Sequence, residues 1–401
     1  MKILFINAFY YPDVGGGAEY TLKTLVEGMQ QLGHQTVVAA TRPIGNSSLT
    51  MINDVKVYRV SLFNIYWHLK FIKRSKVLRL AWAILDIFNP VMAWRFHRIL
   101  SKEQPDLIVM HNLVGWSASV YAVLLRHKIP SVQVLHDYYN LCPNSMMFSN
   151  GSACKSICKT CAVARLPNLF FSKKIHGLVG VSRFVLKSHI DRNYYKNATA
   201  RIAIHNVNHA NSDDLTVKTK EFSNGTLTFG FIGKIIPAKG VAMLLDCFAD
   251  IDFQSCKLVV AGSGEVDFVE KLKTSAAHNI TFIGQVDSSE FYRQIDVLIV
   301  PSQWHEPLGN IVHEAFQYGI PVIASDAGGI HEMIMQGESG FVFNQLSVAD
   351  LKRQMLKFVH SRELLKTMSL HASKAAIPYQ DKKAWLGKYH DLFNKIVVDA
   401  L

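Results

Sequence analysis

The stretch HEPLGNIVHEAFQYGIPVIASDAGG, residues 305–329, holds two acids eight positions apart, Glu306 and Glu314. Glu306 stands directly before Pro307, in turn chemistry, whereas Glu314 lies in a run with helical spacing that starts near Leu308. On either side sit short apolar runs, DVLIVP before it and PVIAS within it, which read as buried strands. Strand, helix and strand in succession imply a parallel sheet. The loop SQWHEP then lies at the carboxyl end of a strand, where open parallel sheets bind ligands. The first amides of the following helix lack internal partners, carry the positive end of its dipole and suit phosphate. Eight residues of helix rise roughly 12 Å. Two carboxylates so spaced around a phosphate site suit a molecule with hydroxyls at both ends, such as a nucleoside-diphosphate sugar. A plain helix with one acid in its first turn and another on a solvated face also accounts for the bare pair, so the neighbours must decide.

The same alternation extends in both directions. Upstream, LTFGFIG, KLVVAG and ITFIG read as further strands of the same sheet. In the first half, KILFIN, QTVVAA, DLIVMH, SVQVLH, GLVGV and RIAIHN do likewise, with a helical stretch from Gly17 to Leu32 after the first. Between the halves, NHANSDDLTVKTKEFSNG is polar and aperiodic and reads as a linker. The expected architecture is α/β, two doubly wound Rossmann-like domains facing each other across a cleft. The first domain is 1–208, the second 209–381, and an amphipathic helix, 382–401, packs back on the first.

Composition bounds the partners. The chain has 401 residues, a net charge of +12 and 49% hydrophobic residues, so two cores and an anionic partner are expected. No run approaches the roughly 18 apolar residues of a spanning helix, and the apolar run in MKILFINAFYYPD is too short for a secretory signal. The expected location is the cytoplasm. No nucleic-acid-binding module is recognised, and none is expected to bind.

Three further features fall at strand ends in the first half. Gly15, Gly16 and Gly17 permit close approach to phosphate or sugar, or form a plain βα turn. Their spacing is not that of a dinucleotide fingerprint. His136 ends SVQVLH beside Asp137, and His111 ends DLIVMH.

The stretch EPLGNIVHEAFQYGIPVIASDAGGIHE resembles the retaining glycosyltransferases of family 4, which have the GT-B fold. Their signature is a pair of glutamates separated by seven residues, followed by a Gly-x-Pro-Val strand and a Gly-Gly turn. FGFIGKIIPAKG is similar to the family's phosphate-binding loop and GGGAEY to its first glycine-rich turn. The resemblance implies transfer of a sugar from a UDP- or GDP-sugar to a glycan or lipid-linked acceptor. It places Glu306 beside the donor sugar, Glu314 on the ribose and the amides of Leu308, Gly309, Asn310 and Ile311 at the diphosphate. Lys234 and Lys239, in the loop after Gly233, would neutralise the leaving diphosphate, Lys234 standing where arginine is common in the family. His136 would contact the donor sugar, and base recognition would fall around Gly262 to Gly264 and Gly284 to Val286. Val207 departs from the family's frequent Asn-Gly. No metal or other cofactor is implied for the chemistry. A nucleotide-sugar hydrolase or epimerase, and a non-catalytic glycan- or nucleotide-binding module, are the alternatives.

Two features lie outside this pattern. Cys142, Cys154, Cys158 and Cys161 cluster within twenty residues. In a reducing compartment they match a structural zinc site, an iron–sulfur cluster, or thiols without a metal. Residues 61–102 carry eight Lys or Arg against one acid, Asp86, interleaved with Trp67, Phe71, Trp82, Phe88, Trp94 and Phe96. This composition suits peripheral contact with the inner face of the plasma membrane and equally suits helices with a solvated basic rim.

Overall fold

The computed structural model describes residues 1–69, 74–207, 222, 225–249 and 256–400. Phe71 and nearly all of the linker segment 208–225 lie outside the described residues. The chain divides into two compact units. One comprises Met1–Met147, Lys155–His209 and Lys382–Leu401, the other Phe148–Cys154 and Ala210–Asp381.

The first unit runs β1 (Lys2–Asn7), α1 (Gly17–Gln31), β2 (Gln35–Arg42), β3 (Ser48–Ile52), β4 (Val55–Ser61), α2 (Lys76–Leu85), α3 (Pro90–Glu103), β5 (Leu107–Met110), α4 (Ser119–Leu124) and β6 (Ser131–Leu135). The short hairpin β7 (Phe148–Ser149) and β8 (Ser152–Ala153) groups with the second unit. The first unit resumes with α5 (Lys159–Ala164), α6 (Leu166–Phe171), β9 (Gly177–Gly180), α7 (Arg183–Ile190) and β10 (Ala200–Ala203). Its sheet is ordered β10-β9-β6-β5-β1-β2-β4-β3, parallel except for β3. Continuous apolar runs fill its centre, as strands covered on both faces require; β1 buries every residue after Lys2. Absent from the sequence reading is the edge hairpin β3–β4. It turns on Asn53 and Asp54, both at positive φ, a conformation these two residues tolerate.

The second unit runs β11 (Leu227–Ile232), α8 (Val241–Ala249), β12 (Cys256–Ala261), α9 (Val266–Ser275), β13 (Ile280–Gly284), α10 (Ser288–Gln294), β14 (Val297–Val300), α11 (Ile311–Gln317), β15 (Val322–Ser325), β16 (Gly340–Phe343), α12 (Val348–His360) and α13 (Arg362–Gln380). Its strands pair in the order β13-β12-β11-β14-β15-β16, all parallel. In the unit's own strand numbers this is 3-2-1-4-5-6, the doubly wound order, with its switch point between β11 and β14. The first unit has its switch point between β1 and β5.

The last helix, α14 (Lys382–Ala400), returns to the first unit. It sets Trp385, Tyr389, Leu392, Phe393 and Ile396 among the buried side chains of β1, β2, β5 and β9. Gly177 on β9 makes room for it, since a Cβ there would stand 2.2 Å from Ile396 Cδ1.

Candidate functional site

At the switch point of the second unit, the loops leaving β11 and β14 interlock. Gln303 N donates to Ala238 O at 2.8 Å, and Gly240, at φ 72°, lies so close that a Cβ would reach Pro301 O at 1.8 Å. This contact places Lys239 against Glu306, with Lys239 Nζ donating to Glu306 Oε1. The same oxygen accepts from Ser302 Oγ at 2.8 Å and Trp304 Nε1 at 2.9 Å. Glu306 is buried, and all three bonds fall on Oε1 rather than Oε2. Its backbone is pinned as well: Gly329 N donates to Glu306 O at 2.7 Å, and Gly328 forms an isolated parallel bridge with Glu306. Such a carboxylate is held by charge-assisted bonds on one oxygen and presents the other to a ligand.

The helix after Glu306 is shorter than its spacing implies, and this corrects the expected geometry. It begins at Ile311, with Asn310 as its cap, not at Leu308. Residues 306–309 stay outside the helix, with Gly309 at φ 87°, so Glu314 falls in the first turn of a seven-residue helix. The two acids are therefore not spaced along one helix, and the roughly 12 Å rise does not separate them. Glu314 is part-buried and accepts from Tyr292 Oη at 3.1 Å, and Tyr292 stacks on Tyr318 at 5.3 Å. Desolvation raises the Glu314 carboxyl above its ordinary range.

The glycine loops ending β11, β12 and β13 are brought together by their backbones. Gly233 N donates to Ala261 O at 3.1 Å, Ile235 N to Ser263 O at 2.8 Å, and Gly262 N to Gly284 O at 2.7 Å. A Cβ at Gly262 would meet Gly233 O at 1.8 Å and one at Gly264 would meet Ile235 O at 2.0 Å, so neither position admits a larger residue. Lys234 projects from the same crossing and is exposed; Val286 follows Gly284 and is half-buried.

In the first unit the corresponding strand ends are joined by polar side chains. Glu19 accepts from Gly16 N at 2.9 Å and Gly15 N at 3.3 Å, and its other oxygen accepts from Asn7 Nδ2 at 3.3 Å. Asn7 Oδ1 takes the Asn112 amide at 2.8 Å, and Asn112 Nδ2 donates to Asp137 at 3.1 Å. This chain links β1, β5 and β6 beneath the Gly15–Gly17 turn. A Cβ at Gly16 would meet nothing within 4 Å, so the fold itself does not demand glycine there. His111 Nδ1 and His136 Nε2 lie 2.8 Å apart; burial lowers His136 to about 4 and pushes His111 well down, so both rings are neutral near pH 7. Burial likewise raises Asp137 to about 6. The cavity lined by these residues, about 10 Å³, has room for one water.

Cys142 and Cys161 stand 3.4 Å apart at sulfur, and exposed Cys158 bonds Thr160 Oγ1 at 3.1 Å. Among the described residues, no group of three or more His, Cys, Asp or Glu is placed to hold a metal ion. Cys247 and Cys256 are buried. Val207 is packed in the core of the first unit.

Sequence reading missed Asn7, Glu19, Asn112, Tyr292, Ser302 and Trp304. Glu19 carried a signal: it lies three residues after Gly16, the spacing at which a glutamate reaches back to bond the amides opening its own helix.

Two family models match the chain, glycosyl transferase 4-like domain over residues 16–204 and glycosyl transferases group 1 over residues 213–375. A glycosyltransferase of Methanocaldococcus jannaschii is 30% identical over 300 residues, 72% of this chain and 75% of that one. A 42.6 kDa protein of the cps region of Klebsiella pneumoniae is 27% identical over 83% of this chain and 87% of its own. Among solved structures, HepE of Anabaena in complex with UDP and glucose has a TM-score of 0.70 at 18% identity, covering 98% of this chain and all of that one.

Proposed function

The chain belongs to the glycosyltransferases and has their GT-B fold, and we propose that it is a retaining enzyme of family 4. In this reading it moves a sugar from a UDP- or GDP-sugar to a hydroxyl of a growing, lipid-linked polysaccharide or oligosaccharide. The observation that carries it is Glu306, a buried carboxylate with three donors on one oxygen, at the switch point of the second unit and against Lys239. The complex of HepE with UDP and glucose favours UDP among the two nucleotides.

The donor would lie across the ends of β11 and β14, with its ribose on Glu314 and its base near Gly264 and Val286. Glu306 would hold a sugar hydroxyl through Oε2. The bond from the anomeric carbon to the diphosphate oxygen breaks while the acceptor oxygen adds from the same face, so configuration is kept. The acceptor's proton passes to the departing diphosphate, whose charge Lys239 and Lys234 stabilise. Neutral His136 would exchange a hydrogen bond, not a charge, with the donor sugar. No metal takes part in these steps.

The test is transfer itself. Purified protein is incubated with UDP- and GDP-sugars, with and without a lipid-linked acceptor, and nucleoside diphosphate and glycoside are measured. Transfer only in the presence of acceptor is expected. Glu306→Gln should lower it by about 100-fold, a loss of the size seen when charge stabilisation at a reacting centre is removed, while the circular dichroism spectrum shows the protein still folded. Full activity in that variant would sink the proposed site. Sugar release without acceptor would point to a hydrolase, and binding without turnover to a non-catalytic module.

A further inference from the structure

Two segments hold the positive charge of this chain. Residues 61–102 carry eight Lys or Arg against Asp86 alone, and residues 138–190 carry seven against no acid at all. Asp86 is buried, accepting from Gly115 N and Tyr139 Oη, so neither segment offers a carboxylate to solvent. Between them they exceed the +12 of the whole chain, so the remainder is close to neutral.

The helices of these segments in the first unit turn apolar side chains outward. On α2 only Trp82 is buried. Val77, Leu80 and Ile84, which share a face at helical spacing, are 75%, 63% and 57% exposed. Past the end of α2 come rings in contact: Phe88 meets Phe171 at 5.8 Å, and Phe171 meets Phe170 at 5.1 Å on α6. Phe170 is 62% exposed. Cations border these side chains. Lys76 and Arg79 lie on α2, Arg98 stands 5.0 Å over the exposed Trp94 ring, and Lys173 stands 5.5 Å over Phe170. None of these four pairs with an acid among the described residues. Three exposed apolar side chains on one helix face, and three rings in successive contact that start close by in the chain at Phe88, mark an interaction site, unlike single exposed side chains.

The charge selects the occupant. A second copy of the chain docked through the same face would set cations against cations. A bilayer containing anionic lipid offers acyl chains to Val77, Leu80 and Ile84 and phosphates to the bordering cations, with ring and cation together at headgroup depth. The helices would lie on the surface. Among the described residues no single helix is long and apolar enough to cross a membrane, and α3 buries Met92, Phe96, Ile99 and Leu100 in its own unit. We infer that the face formed by α2, the α2–α3 turn and α6 docks the first unit on an anionic lipid bilayer. The inference stands on this surface and not on the donor site, and its test needs no transfer activity.

The full chain is floated with vesicles of phosphatidylcholine alone and of phosphatidylcholine with about one-third phosphatidylglycerol, at low and high salt. Binding to the anionic vesicles should be at least about tenfold tighter, and weaker in high salt. The triple substitution Val77→Ser, Leu80→Ser, Ile84→Ser should reduce it by about tenfold or more, three exposed apolar side chains being lost, with an unchanged circular dichroism spectrum and melting temperature. Lys76→Gln with Arg79→Gln should remove part of the salt dependence and retain the fold. Equal binding by wild type and the triple variant would overturn the inference, as would equal affinity for the two vesicle types. So would a dimer in sedimentation velocity that the triple variant abolishes while neither vesicle binds; that outcome would assign the face to a second copy.

Discussion

Glu306 is defined by its neighbours more than by its position in sequence. Its Oε1 collects the Lys239 ammonium, the Ser302 hydroxyl and the Trp304 indole, which fixes the direction in which Oε2 can act. Trp304 also lies 5.6 Å beneath Lys239, so a single ring touches both members of the ion pair. Trp304→Phe keeps the ring and removes the donor. A bond to a charged group contributes about 1.5–3 kcal/mol, so turnover should fall by about tenfold or more while the KM for donor changes less. Steady-state kinetics with saturating acceptor would check this; unchanged turnover would show that Ser302 and Lys239 suffice. The two glutamates and Lys239 stood out in the sequence because each belongs to a motif of fixed spacing. Trp304 did not, although it sits in the quoted SQWHEP loop. Side chains in irregular loops have no periodicity from which a direction can be inferred, and Asn112, after β5, was hidden for the same reason; Asn7 closes the apolar run of β1, where a lone polar residue reads as the strand's end.

Loops at strand ends, rather than the helix, set the geometry of the second unit. The helix that the acids were expected to share starts only at Ile311, after Gly309 has reversed the backbone. Glu306 is instead held from β15's side: Gly328, at φ 76°, approaches so closely that a Cβ would stand 2.2 Å from Glu306 O. Gly328→Ala should therefore push the Glu306 loop out of place. Backbone strain of this type costs on the order of 1–3 kcal/mol, and donor binding should weaken along with thermal stability. Calorimetric melting with a parallel nucleotide titration would check both; Gly16→Ala, where a Cβ has open space, should leave the melting temperature unchanged. Elements with long apolar runs, such as KILFIN and DVLIVP, were legible because burial on both faces of a parallel sheet imposes them. The edge strand β3 was not: an edge needs no such run, and Ser48–Ile52 is largely exposed.

Across the whole molecule, each unit keeps the doubly wound strand order, which opens a crevice at its switch point. This much follows from the alternation of strands and helices. Chain order and unit membership diverge at α14, which follows the second unit in sequence and packs in the core of the first. Ending the chain at Asp381 would remove five buried large side chains. Each contributes about 1.5–3 kcal/mol, against a total stability of about 5–15 kcal/mol. The first unit should then lose amide protection throughout β1 and β9 in hydrogen exchange, while β11 and β14 stay protected. Retained protection in β1 would mean that the last helix is dispensable. The central claim, that the second unit holds a nucleotide sugar between Glu306 and Glu314, is tested most directly by calorimetric titration of the full chain with UDP and with GDP at one salt concentration. One nucleotide should bind clearly, and Glu314→Gln should weaken it by about tenfold, the cost of a lost hydrogen bond to a charged group. Binding of neither nucleotide, or equal binding by the variant, would contradict the account.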